Sequence, residues 1–208
     1  MSAKSEIFSR IRAAGSIDAP QIPRDYRFGS DAPRSEVVDE MVDALVDYTA
    51  QVERVKADGI EDAIAQFLAD ANSVVVPAGL PKEWVEAAGR DGREVRVDDP
   101  ALTNDELDKT DAVVTASRVA VANSGTIILD AAADQGRRAI TLVPDTHVIV
   151  LRADAIKATL PEAVAVLAKN PTRPTTWIAG PSATSDIELV RVDGVHGPRN
   201  LRIVLVEN

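Results

Sequence analysis

GIEDAIAQFLADANSVVVPAGLPKEWVEAAGRDGREVRVD, residues 59–98, is the stretch on which the fold turns. GIEDAIAQFLADA has a helical pattern, and SVVVP is a short apolar run of the kind a buried strand makes. PKEWVEAAG is helical again, and EVRVD is a second strand. Helix and strand in alternation predict an α/β domain, in which crossovers cover both faces of a mostly parallel sheet.

Toward the C-terminus the rhythm changes. DAVVTA, VAVA, TIILDAA, AITLVP and HVIVLR are strand-like runs with little between them, the last two separated by a turn at Pro144–Asp145. Strand following strand implies antiparallel pairs within a mixed sheet. A helix, PEAVAVLAKN, and a strand, TTWIAG, come next, and LRIVLVE closes the chain. Toward the N-terminus, SEVVDEMVDALVDYTAQVERVKADG reads as one long helix from Ser35. Its apolar stripe is Val38, Met41, Val42, Leu45, Val52 and Val55, and Gly59 ends it. This helix is expected to lie on the core or against a second copy of the chain. Residues 16–34 hold three prolines and one glycine without periodicity. Residues 1–34 therefore read as a short helix with an extended arm, and 35–208 as one α/β domain.

The chain has 208 residues, a formal net charge of −10 and no cysteine. Such a length buries enough surface to be stable without staples. The absence of thiols excludes disulfides, iron–sulfur ligation and a cysteine nucleophile. With only His147 and His196 besides, no metal site is expected. The acidic balance and scattered basic residues argue against nucleic acid, whose phosphates need concentrated Lys and Arg. No stretch is apolar for long enough to span a bilayer, and the N-terminus lacks the core of a signal peptide, so a cytoplasmic location is expected. Dinucleotide-binding, phosphate-loop and serine-elbow motifs are missing.

The richest polar chemistry lies in GPSATSDIELVRVDGVHGPRNL, residues 180–201. Gly180, Ser182, Thr184 and Ser185 follow a strand, where backbone N–H groups and hydroxyls can cradle an anion. Asp186 and Glu188 would oppose one, and a helix cap accounts for the same residues. Asp193–Gly194 favours a hairpin between LVRV and LRIVLV. His196 stands between Val195 and Gly197 with a pKa near neutrality, open to a ligand or merely to water. Arg199 suits a carboxylate, or is a solvated charge. His147, entering an apolar strand, reads as structural or as a ligand contact. Asn123, Ser124, Gly125 and Thr126 form a polar turn that aims donors at a ligand or simply reverses the chain.

SGTIILDAAADQGRRAITLVPDTHVIVL followed by GPSATSDIELVRVDGVHGPRNLRIVLV resembles the lactate utilization protein C (LutC/YkgG) family of LUD-domain proteins. GPS-x-(S/T)-x-DIE and GVHGP are the distinctive elements. The resemblance implies a three-layer α/β/α sandwich of the NagB/RpiA/CoA-transferase-like superfamily. It also implies an accessory role in oxidising L-lactate to pyruvate beside iron–sulfur lactate utilization proteins. On that reading this chain holds no cofactor and binds a small anionic ligand; His196 would take a proton and Arg199 a carboxylate. The alternative is a stand-alone enzyme acting on a phosphorylated or CoA-linked metabolite. Relatives often read Ala-Glu-(Thr/Ser) where this chain has Ala122-Asn123-Ser124. Without a carboxylate, position 123 cannot form the acyl anhydride that CoA transfer needs.

Overall fold

A computed structural model of the protein describes residues 2–15, 20–184, 192–193 and 197–207. Helix α1 (Ala3–Ala13) and an exposed arm precede helix α2 (Arg34–Asp47) and strand β1 (Gln51–Val55). Helix α3 (Ile60–Phe67), strand β2 (Ser73–Val76), helix α4 (Lys82–Ala88) and strand β3 (Glu94–Val97) then alternate as expected. Helix α5 (Asn104–Asp108) leads to strands β4 (Ala112–Ala116), β5 (Val119–Val121), β6 (Thr126–Leu129), β7 (Thr146–Arg152) and β8 (Ile156–Lys157). Helix α6 (Leu160–Leu167), strand β9 (Thr176–Ile178), two short strands β10 (Ala183–Thr184) and β11 (Val192–Asp193), and strand β12 (Asn200–Val206) complete the order.

The main sheet has six strands in the order β1-β12-β7-β4-β2-β3, all paired parallel. Its central strands are buried on both faces, which is why they read as continuous apolar runs. Val148, Val150, Val204 and Val206 meet α3 and α4 on one face. Ile149, Leu151, Ile203 and Leu205 meet Val38, Met41 and Leu45 of α2 on the other. The fold is thus an α/β/α sandwich. The antiparallel pairs β5–β6 and β6–β9 belong to a second sheet, β8-β5-β6-β9, which shares the layer of α2 and is covered by Ala163, Val166 and Leu167 of α6.

Three expectations are corrected. The long helix ends at Asp47, because Thr49 takes a left-handed φ of 67° and the N–H groups of Thr49 and Ala50 close on Val46 and Leu45. Val52 and Val55 consequently belong to β1, an edge strand paired with β12. AITLVP is not a strand: Arg138–Thr141 wind into a 3-10 turn that buries Ile140 against Val75 and Val113. Finally, β12 makes no hairpin with LVRV. It runs parallel between β1 and β7, while Val192–Asp193 pair with Ala183–Thr184.

The carboxyl ends of β2, β3 and β4 are closed by residues 130–137. Gly79, just past β2, donates its N–H to the Ala133 carbonyl at 2.9 Å, and the Ala116 N–H of β4 reaches Asp134 O at 3.0 Å. Beyond β3, Arg137 grips Asp98 with both arms, Nε to Oδ2 at 2.7 Å and Nη2 to Oδ1 at 3.0 Å. No room is left at Gly79, where a Cβ would stand 2.5 Å from Ala133 Cβ.

Candidate functional site

Among the described residues, the sheet is open at its amino edge. There the carboxyl end of β9, from the second sheet, meets the starts of β7 and β12. Between them lies a cavity of about 140 Å³. Its inner wall is His147, the second residue of β7, and Leu201, its partner in register on β12. Neighbours in a parallel register point to the same face, so both side chains lie on the α2 side of the sheet.

His147 is 1% exposed. Its Nε2 is 2.8 Å from Thr115 Oγ1, itself fully buried on β4. Burial pushes the imidazole pKa down to about 3, so the ring is neutral at physiological pH. Nδ1 has no partner among the described residues.

The outer wall depends on two glycines. Gly180 has φ 84°, and a Cβ there would lie 2.8 Å from Tyr48 Cβ at the end of α2. Gly197 has φ 136° and packs beside Ser182 and Leu142. The Ser182 N–H donates to the Pro198 carbonyl at 2.9 Å, stitching the two loops together. The mouth is formed by the exposed residues Trp177, Leu142 and Arg138. Arg138 is the only ionised side chain among the described lining residues, and its guanidinium has no partner among them. Its neighbour Arg137 is spent on Asp98, and in the 3-10 turn that follows Thr141 Oγ1 donates to the Arg138 carbonyl at 3.0 Å.

Of the residues expected to bind a ligand, His147, Gly180 and Ser182 therefore share one cavity. Arg199 lies on a neighbouring polar groove of about 520 Å³, where it pairs with Asp145 at 2.8 Å. That groove has four aspartates (70, 108, 111 and 145) against two arginines (199 and 202), a balance that repels anions. Asp111 accepts the N–H groups of Asn72 and Ser73, which hold its carboxyl below the usual range against the effect of burial. The turn Asn123–Thr126 lines neither space. Gly125 rests against Ala44 of α2, and Ser124 and Thr126 bond each other at 2.9 Å. Thr184 is placed by its backbone in β10, opposite Val192. Ser185, Asp186, Glu188 and His196 lie outside the described residues.

Arg138, Thr141 and Trp177 were not singled out in the sequence. The signal for Arg138 was a pair of adjacent arginines behind Gly136, in a segment whose apolar content suggested a strand. Among the described residues, no group of three or more His, Asp or Glu side chains could hold a metal ion. No helix there is long and apolar enough to cross a membrane.

The chain has counterparts among known proteins. The crystal structure of a DUF162 family protein from Deinococcus radiodurans superposes with a TM-score of 0.73 at 40% identity, covering 85% of this chain and 99% of that one. A lactate utilization protein C from Deinococcus radiodurans is 44% identical over 98% of this chain and 95% of its own length. A lactate utilization protein C from Bacillus subtilis is 25% identical over 96% of this chain and 91% of its own. The model of the LUD domain matches residues 38–206, from within α2 to the end of β12. The match takes in every strand of the six-stranded sheet, and the chain belongs to the LUD domain family.

Proposed function

We propose that this chain is the non-redox, ligand-holding subunit of a cytoplasmic system that oxidises L-lactate to pyruvate. The observation that carries the reading is the 44% identity, along almost the whole of both chains, to a protein named for lactate utilization. A second fact shapes the role. Lactate oxidation releases two electrons and two protons, and a chain without cysteine has no ligands for an iron–sulfur cluster to receive the electrons. Iron–sulfur partner proteins would take them. The small amino-edge cavity, with one free cation among its described lining residues, is the natural seat for a small anionic ligand.

A stand-alone enzyme on CoA-linked metabolites fits less well. The cavity of about 140 Å³ is far below the roughly 300–1,000 Å³ that larger ligands occupy, the larger groove carries four aspartates that repel phosphates, and Asn123 offers no nucleophile. The test is complementation. In a bacterium deleted for its own lactate utilization protein C, this chain is expected to restore growth on L-lactate and to co-purify with iron–sulfur proteins. No restoration, despite soluble expression, would remove the reading.

A further inference from the structure

The amino-edge cavity has three properties that together narrow its ligand. It is small: an engineered apolar cavity of ~150 Å³ holds benzene, a ligand of six heavy atoms, so about 140 Å³ suits a molecule of similar size. It is asymmetric in charge, since Arg138 at the mouth meets no carboxylate among the described lining residues. And its inner wall holds His147, a buried polar ring flanked by apolar Leu201.

We propose that the cavity binds short monocarboxylates carrying an oxygen on carbon 2, with Arg138 holding the carboxylate and His147 Nδ1 meeting the 2-oxygen. This rests on the lactate reading for its biological setting, though its argument is chemical. A guanidinium takes a carboxylate through two parallel N–H donors. A neutral imidazole has one donor and one acceptor nitrogen. Thr115 can serve either tautomer, because its hydroxyl rotates to donate to Nε2 or accept from it. When Thr115 donates, Nδ1 bears the proton and suits a 2-oxo group. When it accepts, Nδ1 is bare and suits a 2-hydroxyl. One buried pair therefore accommodates both a 2-hydroxy acid and the 2-oxo acid it becomes, without charging the histidine. A second carboxylate or a phosphate would leave excess negative charge beside a single arginine.

Calorimetry on the full chain tests this with L-lactate, pyruvate, propionate, succinate and inorganic phosphate as probes. L-Lactate and pyruvate are expected to bind within about ten-fold of each other, and propionate, without the 2-oxygen, at least about ten-fold more weakly. Arg138→Gln should weaken both by at least about ten-fold while leaving the melting temperature unchanged, and Arg138→Lys should recover part of the loss. Equal binding of propionate, preference for succinate or phosphate, unaltered binding by Arg138→Gln, or no binding of either acid would each overturn the proposal. Complementation separates it from the functional reading. If the wild-type chain restores growth on L-lactate and Arg138→Gln does so equally, the ligand assignment falls while the subunit role stands. Failure of the wild-type chain would count against the role itself.

Discussion

The two edges of the main sheet are built on opposite plans. Open α/β sheets usually bind ligands beyond the carboxyl ends of their strands. Here the carboxyl ends of β2, β3 and β4 are sealed by residues 130–137, through backbone hydrogen bonds and the two-armed Arg137–Asp98 pair. Among the described residues the amino edge stays open, and it carries the small cavity, the polar groove and exposed charges. The same sealing loop leads into the 3-10 turn that presents Arg138 to the amino-edge cavity. Closure at one edge thus supplies a rigid base for the opening at the other. Rigidity and access are divided between the edges, and substitutions should reveal the division.

The greatest loss is expected at Gly79. An alanine Cβ would stand 2.5 Å from Ala133 Cβ and 2.6 and 2.7 Å from its backbone carbon and oxygen, so no rotamer change can relieve it. Gly79→Ala should cost about 3 kcal/mol in chemical denaturation, at the upper end of overpacking effects. Amide exchange should speed up over residues 130–137 first. A neutral outcome would mean that the loop is not a seal. Asp98→Ala should come next, at about 2 kcal/mol, because Asp98 is 6% exposed and also accepts the Leu102 N–H. Arg137 can partly resolvate, which keeps the loss below the ~3–5 kcal/mol of a fully buried pair.

How much of this was legible beforehand depended on whether local pattern or packing made the decision. The βα alternation from residue 59 and the apolar runs of β4, β7 and β12 were legible, because strands buried on both faces need apolar residues throughout. The end of α2 was not. A left-handed Thr49 does there what a glycine usually does, so the helical pattern ran on into β1. Which sheet receives β5 and β6 was also hidden, since both sheets bury their inner faces. In the cavity, His147 stood out as a polar residue entering an apolar strand, and Gly180 as the glycine that follows a strand. Arg138 was concealed by the 3-10 winding of RAIT, where a strand would have faced it differently.

Acid should expose the histidine on the open edge. Above pH ~6.5 His147 is neutral in both folded and unfolded chains and contributes nothing to pH dependence. Below that, the unfolded chain takes up a proton that the folded one refuses until about pH 3. Stability should therefore fall by up to about 1.4 kcal/mol per pH unit as the pH drops from 6.5 toward 3. Denaturation of wild type and His147→Gln between pH 7 and 5 isolates the effect, since most carboxylates titrate lower. Parallel slopes for the two proteins would show that the ring is solvated and that the cavity lacks its neutral wall.

The smallest effect should come from the ion pair that most resembles Asp98–Arg137. Arg199 also uses one carboxylate, Asp145, with contacts at 3.0 and 2.8 Å, yet both side chains are 58% exposed. Water and salt screen such a pair, so Asp145→Ala should change stability by no more than about 0.5 kcal/mol. It would also release Arg199 beside a groove that still holds three aspartates, which disfavours recruiting an anion there. Binding of L-lactate or pyruvate should accordingly be unchanged in Asp145→Ala. If binding tightened instead, Arg199 would be the carboxylate's partner, and the open edge would work through its larger groove rather than through the cavity at Arg138.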